Sequence, residues 1–195
     1  VYKIRSGVLL IDDSDKARSK NTTEIAKVHK IKDKKYGGYF NGQNLVFLVL
    51  VTEKLTLPVG FCFYEPDPAM SLWKKEDQRL QDKGIEKRYR PKPPKEDENY
   101  PGKKTLALKL IANFVALCPD ILIRAVDADA FYGTKDFIDG VAKSTRQKQV
   151  ISQMQKAQLI SVNGKDIAVS KFFENFQGKT EVAILRGSEK KITYR

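Results

Sequence analysis

The sequence predicts an α/β fold built on one mixed sheet, and three features predict it. A short apolar run at residues 7–12, Gly-Val-Leu-Leu-Ile-Asp, suits a strand buried on both faces. Two apolar runs at 45–52 and 55–64, joined by a turn at Glu53-Lys54, read as paired strands of a hairpin. Helical spacing from Lys103 gives way to a strand at 121–127, a helix at 135–142 and a strand at 149–152. A strand-helix-strand crossover of that kind implies a parallel pair.

Taken in order, the first strand ends in acid and a polar excursion follows from Lys16 to Gly38, closed by Gly37-Gly38. Pro58 cannot donate a ladder hydrogen bond, which puts the second hairpin strand at an edge. Residues 65–102 are charged and contain Pro91, Pro93 and Pro94, so they read as a long surface excursion with a short helix around 72–81. Leu106, Leu110, Phe114 and Leu117, with Ile111 and Val115 alongside, recur at helical spacing until Pro119 stops the pattern, and such a stripe serves a core. Beyond 152 come the polar residues 153–158 and short strand candidates at 159–162, 181–185 and 191–194.

Composition narrows the function classes. No apolar run reaches the roughly 18 residues of a membrane span, so neither a membrane partner nor export is expected, and a chain that opens on Val1 reads as a piece of a longer one. Cys62 and Cys118 make neither a metal spacing nor a disulfide framework and read as reduced core thiols of a cytoplasmic protein. The net charge of +12 is concentrated. Lys16, Arg18, Lys20, Lys27, Lys30, Lys32, Lys34 and Lys35 face only Glu24 and Asp33, a net +6, and residues 143–195 carry a further +7. Basic surfaces are often silent, but charge gathered beside carboxylates favours a polyanionic partner, since neutralising phosphates releases counterions.

The carboxylates are the other half of the pattern. Asp12 and Asp13 close the first apolar run, and Asp127 and Asp129 close the strand at 121–127. Singly, each cluster is what a solvated turn looks like. Ligands of open mixed sheets collect at the carboxyl ends of their strands, however, so if these two strands are neighbours the clusters meet. Hard oxygen ligands suit Mg²⁺ or Mn²⁺, and a pair of such ions can clamp the attacking and leaving oxygens of a phosphodiester. His29, the single histidine, is the one neutral-pH base, and a place in a basic loop or against a phosphate is its ordinary role. Trp73, beside Lys74-Lys75, reads as a partly packed helix residue before it reads as a stacking platform.

Four segments, "LLIDDSDKARSK", "GGYFNGQNLVFLVLVTEKLTLPVGFCFYEPDPA", "VDADAFYGTKDF" and "QVISQM", make the chain resemble the DDE transposases of bacterial insertion sequences. The resemblance runs through nearly all of the sequence and rests on the order and spacing of the motifs. It implies a ribonuclease H-like catalytic core at 1–152, with the excursion at 65–102, and the start of a strand-rich insertion at 153–195. It implies DNA as partner, at transposon ends and target. The chemistry it implies is metal-dependent endonuclease cleavage and strand transfer in DNA recombination, in a bacterial nucleoid-associated setting. A homodimer of the full-length protein fits the same reading. An Asp-x-Ser pattern selects Asp12, with Asp13 the runner-up, because alternation along a strand should send only one of them to the metal. The distance to Tyr132-Gly133 selects Asp129 over Asp127. The family's third carboxylate, a Glu on a downstream helix, has no match, so the 195 residues alone are expected to bind and not to cut. The alternatives are a ribonuclease H-like nuclease that cuts without joining and a DNA-binding domain with a decayed site.

Overall fold

In the computed structural model the first apolar run is only half of a strand: β1 (Ser6–Ala17) continues well past Asp12. The structure describes all residues except 1, 2, 23, 34, 147, 175–178, 186, 187 and 195, with the backbone alone at 179–185 and 188–194. The first acid cluster therefore lies inside a strand and not at its end. The polar half of β1 is held there by the polar half of β3 (Tyr39–Val51): Asp15 pairs with Asn44, Lys16 with Gln43 and Ala17 with Gly42, all antiparallel. β2 (His29–Lys32), inside the segment expected to be a polar excursion, pairs with residues 39–42 on the other edge of β3. β4 (Thr56–Tyr64) continues along that same edge and pairs with β3 alone, with a register shift at Leu48/Val49 opposite Pro58.

On its far side β1 runs parallel to β5 (Leu122–Ala128), which runs parallel to β6 (Gln149–Ser152). The result is a six-stranded mixed sheet in which β1 is central and Ile11 is level with Ala128. Helices complete the mixed α/β architecture. α1 (Pro68–Asp82) is longer than the expected 72–81, because Asp67 accepts the Ala69 amide at 2.8 Å and Pro68 is preset for a first turn. The rest of that excursion is ordered against the helix. Trp73 Nε1 donates to the Pro91 carbonyl at 2.8 Å and Arg90 pairs with Asp77 at 3.0 Å, which ties the half-buried Trp73 to the segment after the helix.

α2 (Lys103–Leu117) and α3 (Lys135–Ser144) cover one face of the sheet. Leu9 and Ile11 of β1, Val46, Leu48 and Leu50 of β3, and Leu106, Ala107, Leu110, Ile111 and Phe114 of α2 are all buried in one cluster with Phe137 and Val141 of α3. Each such aliphatic side chain contributes about 1.5–3 kcal/mol by leaving water. Leu117, expected in the stripe, is 82% exposed at the last helical position. The helices approach closely at Gly140, where a Cβ would come within 2.8 Å of Leu108. Cys62 and Cys118 are free, half-buried thiols at the margin of this core.

The described residues divide after Ser152 into two compact units. In the second, β7 (Leu159–Val162) and β8 (Lys165–Ala168) form a hairpin around Asn163-Gly164, both at positive φ, and α4 (Val169–Phe172) follows. β9 (Lys179–Leu185) and β10 (Ser188–Tyr194) pair antiparallel. Among the described residues no helix is long and apolar enough to cross a membrane.

Candidate metal centre and basic surface

Parallel pairing of β1 with β5 decides where the acids meet. Because Ile11 is level with Ala128, the residues that follow them, Asp12 on β1 and Asp129 just past the end of β5, come close together. Carboxylate oxygens of Asp12, Asp13 and Asp129 all lie within 4.8 Å of one another. Alternation puts Asp13 on the helix-covered face with Ile11, and Asp12 on the opposite face. Asp12 nevertheless turns back over the strand, its Oδ1 accepting the Asp13 amide at 2.8 Å. Asp129 Oδ1 accepts the Phe131 amide at 3.0 Å, the Asx turn that starts the loop into α3. Asp127, one of the two runners-up, is level with Leu10 and Ile151 and is not a member of the cluster, whereas Asp13 is.

Three side chains that the sequence reading did not assign surround these acids. Lys103, the first residue of α2, places Nζ 2.5 Å from Asp13 Oδ2 and 5.4 Å from the centre of the Tyr64 ring. Asn44, only 4% exposed, directs its Nδ2 to Asp15 Oδ1 and lies 3.5 Å from Asp13 Oδ2. Its Oδ1 is buried without a hydrogen-bond partner. Tyr132, fully buried, likewise has a phenolic oxygen without a partner. Burial raises the phenol's pKa well above its ordinary value, and the charges of Asp13, Asp129 and Asp12 raise it further. The hydroxyl thus sits in the field of the carboxylate cluster as a neutral donor. Buried polar atoms without partners are rare and costly, and two of the three among the described residues, Asn44 Oδ1 and the Tyr132 hydroxyl, belong to side chains next to these carboxylates.

The donor set fits a hard divalent ion. It is all oxygen, carboxylate-rich and partly exposed, which suits Mg²⁺ or Mn²⁺ and not a thiol- or imidazole-bound metal. Three carboxylates with water completing the shell make a weak site, because few ligands come from the protein itself.

The basic segment is tied to the same end of the sheet. Lys16 projects from β1 beyond the acids, and at about 3.3 Å per residue it stands roughly 13 Å along the strand from Asp12. Arg18 donates from Nε and Nη2 to Gln43 Oε1 at 2.9 and 2.7 Å, and Gln43 Nε2 donates to the Ala26 carbonyl at 2.7 Å. Asn41 Nδ2 donates to the Lys20 carbonyl at 2.9 Å. The loop between β1 and β2 is thereby fastened to β3. Lys27 holds a left-handed backbone (φ 61°), and its carbonyl lies 3.1 Å from His29 Nδ1. His29, Lys30 and Lys32 belong to β2, and Lys35 stacks on Tyr36 at 4.9 Å. Lys34 lies outside the described residues. The His29 ring meets Tyr64 edge-on at 6.1 Å, so His29, Tyr64, Lys103 and Asp13 form a continuous line from the basic strand to the acid cluster.

No family model, no curated protein and no solved structure matches the chain.

Proposed function

We propose that the first unit is a ribonuclease H-like catalytic core of a DDE transposase, a metal-dependent enzyme that cleaves and joins DNA phosphodiesters. The observation that carries this reading is the meeting of Asp12 and Asp13, inside β1, with Asp129, just past the end of the neighbouring parallel strand β5, at the end of the sheet where β2 brings Lys30 and Lys32 across β3. A strand order with β3 antiparallel to β1 and β4 antiparallel to β3 on one side, and β5 and β6 parallel to β1 on the other, also supports it. Asp12, Asp13 and Asp129 would hold Mg²⁺ or Mn²⁺, which when bound supplies a Lewis acid at the scissile phosphate. Tyr132, a neutral phenol in the field of the three carboxylates, and Asn44, whose Nδ2 lies 3.5 Å from Asp13 Oδ2, would orient the acids that hold the ion. Lys30, Lys32 and Lys35 would hold the DNA backbone along β2 and the turn after it.

The test has two readouts. Mn²⁺ titration followed by electron paramagnetic resonance should show a weak site whose affinity falls at least about tenfold in Asp13→Asn and in Asp129→Asn. A protein containing this chain should nick duplex DNA only with Mg²⁺ or Mn²⁺, and a joined product separates a transposase from a nuclease that cuts without joining. Wild-type affinity retained in both carboxylate variants, or nicking that survives chelation, contradicts the reading.

A further inference from the structure

Lys103 is the one cation in contact with the acid cluster among the described ion pairs, and it is built to hold that place. Its backbone is set by Glu96, whose Oε1 accepts the Gly102 amide at 2.8 Å and the Thr105 hydroxyl at 3.2 Å, just where α2 begins. The ammonium then spans Asp13 Oδ2 and the Tyr64 ring, with both ion-pair side chains about one-fifth exposed (21% and 23%). A lysine in this position does what a metal ion would do electrostatically, on an oxygen that a metal ion would take. Lys104, the next residue, goes elsewhere, over the Phe131 ring at 5.1 Å.

We propose that Lys103 is an exchangeable counter-ion. It neutralises Asp13 when no cation is bound, a divalent cation displaces it, and the freed ammonium takes a backbone phosphate of the DNA brought to the site. This rests on the metal reading above and adds the regulation of that centre. A flexible four-carbon stem allows the transfer by rotamer changes, without moving α2. Lys103 opposes metal binding while it has only Asp13 to hold, and it stops opposing once a phosphate offers an alternative. Metal and DNA then each raise the other's affinity, by the same factor, as linkage requires. An enzyme arranged in this way charges its site with metal on the substrate.

The experiment is Mn²⁺ titration of the wild type, Lys103→Met, Lys103→Gln and Lys104→Met, each with and without a short DNA duplex. Without DNA, both Lys103 variants should bind Mn²⁺ about tenfold more tightly than the wild type, and Lys104→Met should match it. DNA should raise wild-type affinity several-fold and raise that of the Lys103 variants distinctly less. Two Lys103 variants that bind Mn²⁺ no tighter than the wild type, while Asp13→Asn still weakens binding, would overturn the exchange and leave the metal site standing. An equal gain from DNA in all four proteins would also overturn it. If the wild type takes up no Mn²⁺ that Asp13→Asn or Asp129→Asn removes, the metal reading fails and the exchange fails with it.

Discussion

The two ends of the central sheet handle charge in opposite ways. At the end where β1 passes Asp12, charged groups from β1, the loop after β5 and α2 converge, and Asn44 and Tyr132 keep buried polar atoms without partners. At the other end lies a cleft of about 560 Å³ lined by Lys3, Arg5, Glu53, Lys54 and Arg124 together with the first residues of β1 and the last of β3. Its ion pair, Arg124 to Glu53 at 3.6 Å, is largely in water, with side chains 58% and 81% exposed. The cleft has the volume and the acid end has the chemistry. Volume alone marks a gap between elements, whereas polar atoms taken out of water without compensation need a reason. We therefore place function at the acid end, and the following experiments separate the two ends.

The largest effect is expected from charge removal at the acid end. Combining Asp13→Asn with Asp129→Asn leaves one carboxylate, and Mn²⁺ affinity should fall by roughly 100-fold or more if the two losses multiply. Titration at constant ionic strength measures this. A double variant that still binds like the wild type would remove the reason for preferring this end.

Tyr132 gives the next effect, in stability. A buried hydroxyl without a partner costs on the order of 1–3 kcal/mol, so in the absence of metal Tyr132→Phe should stabilise the fold by about 1 kcal/mol, or roughly 2–4 °C in Tm. The same change should weaken Mn²⁺ binding. pH sharpens the point. The phenol's pKa is raised in the folded protein, so its contribution is fully present below the unfolded value near 10 and is lost above it, as the unfolded chain gives up a proton that the folded one keeps. Stability should therefore fall above pH 10 by up to about 1.4 kcal/mol per pH unit for this group, less steeply in Tyr132→Phe. A variant whose alkaline limb matches the wild type would show that the phenol ionises freely. Burial first, and Asp67 second, raise Tyr64 as well, so some alkaline slope remains in either protein.

These groups mark where the sequence could be read and where it could not. The apolar halves of β1 and β3, the hairpin, α2 and the crossover through β5 were legible because burial imposes apolar runs at the right period. β2 and the second half of β1 were not, since polar strands held by backbone pairing and by side chains distant in sequence carry no such signal. The β7–β8 hairpin left a signal in Asn163-Gly164, the pair that a tight turn with positive φ prefers, although only single strands were expected there. Asp12 and Asp129 were legible as acids that follow apolar runs, although Asp12 lies inside β1 and only Asp129 follows the end of its strand. Lys103 and Asn44 join them only through a helix start and a sheet register far away in sequence, at 90 and 31 residues from Asp13. Tyr132 served the sequence reading only as a spacing mark, because nothing in a linear chain shows that a phenol will be buried unpaired.

A smaller effect is expected on the basic strand. Lys30→Glu with Lys32→Glu should weaken binding to duplex DNA uniformly across sequences, and each phosphate that the protein no longer neutralises should flatten the log-log salt dependence by about 0.9. An affinity that stays the same at low salt would detach β2 from the interface.

The smallest effect belongs to the far cleft and closes the comparison. Glu53 and Arg124 are both exposed and sit at 3.6 Å, a geometry in which the attraction is screened by water and offset by the cost of holding two long side chains. Arg124→Ala should change stability by less than about 0.5 kcal/mol, and Arg124→Glu should leave both Mn²⁺ uptake and the salt dependence of DNA binding as they were. The informative measurement is the charge reversal, made in parallel with the Lys30/Lys32 variant. If reversing one arginine at the far end costs as much DNA affinity as reversing two lysines on β2, then phosphates run along the cleft. The basic surface would then be at the end of the sheet away from the carboxylates, and the acid cluster could no longer draw its substrate from β2 at its own end of the sheet.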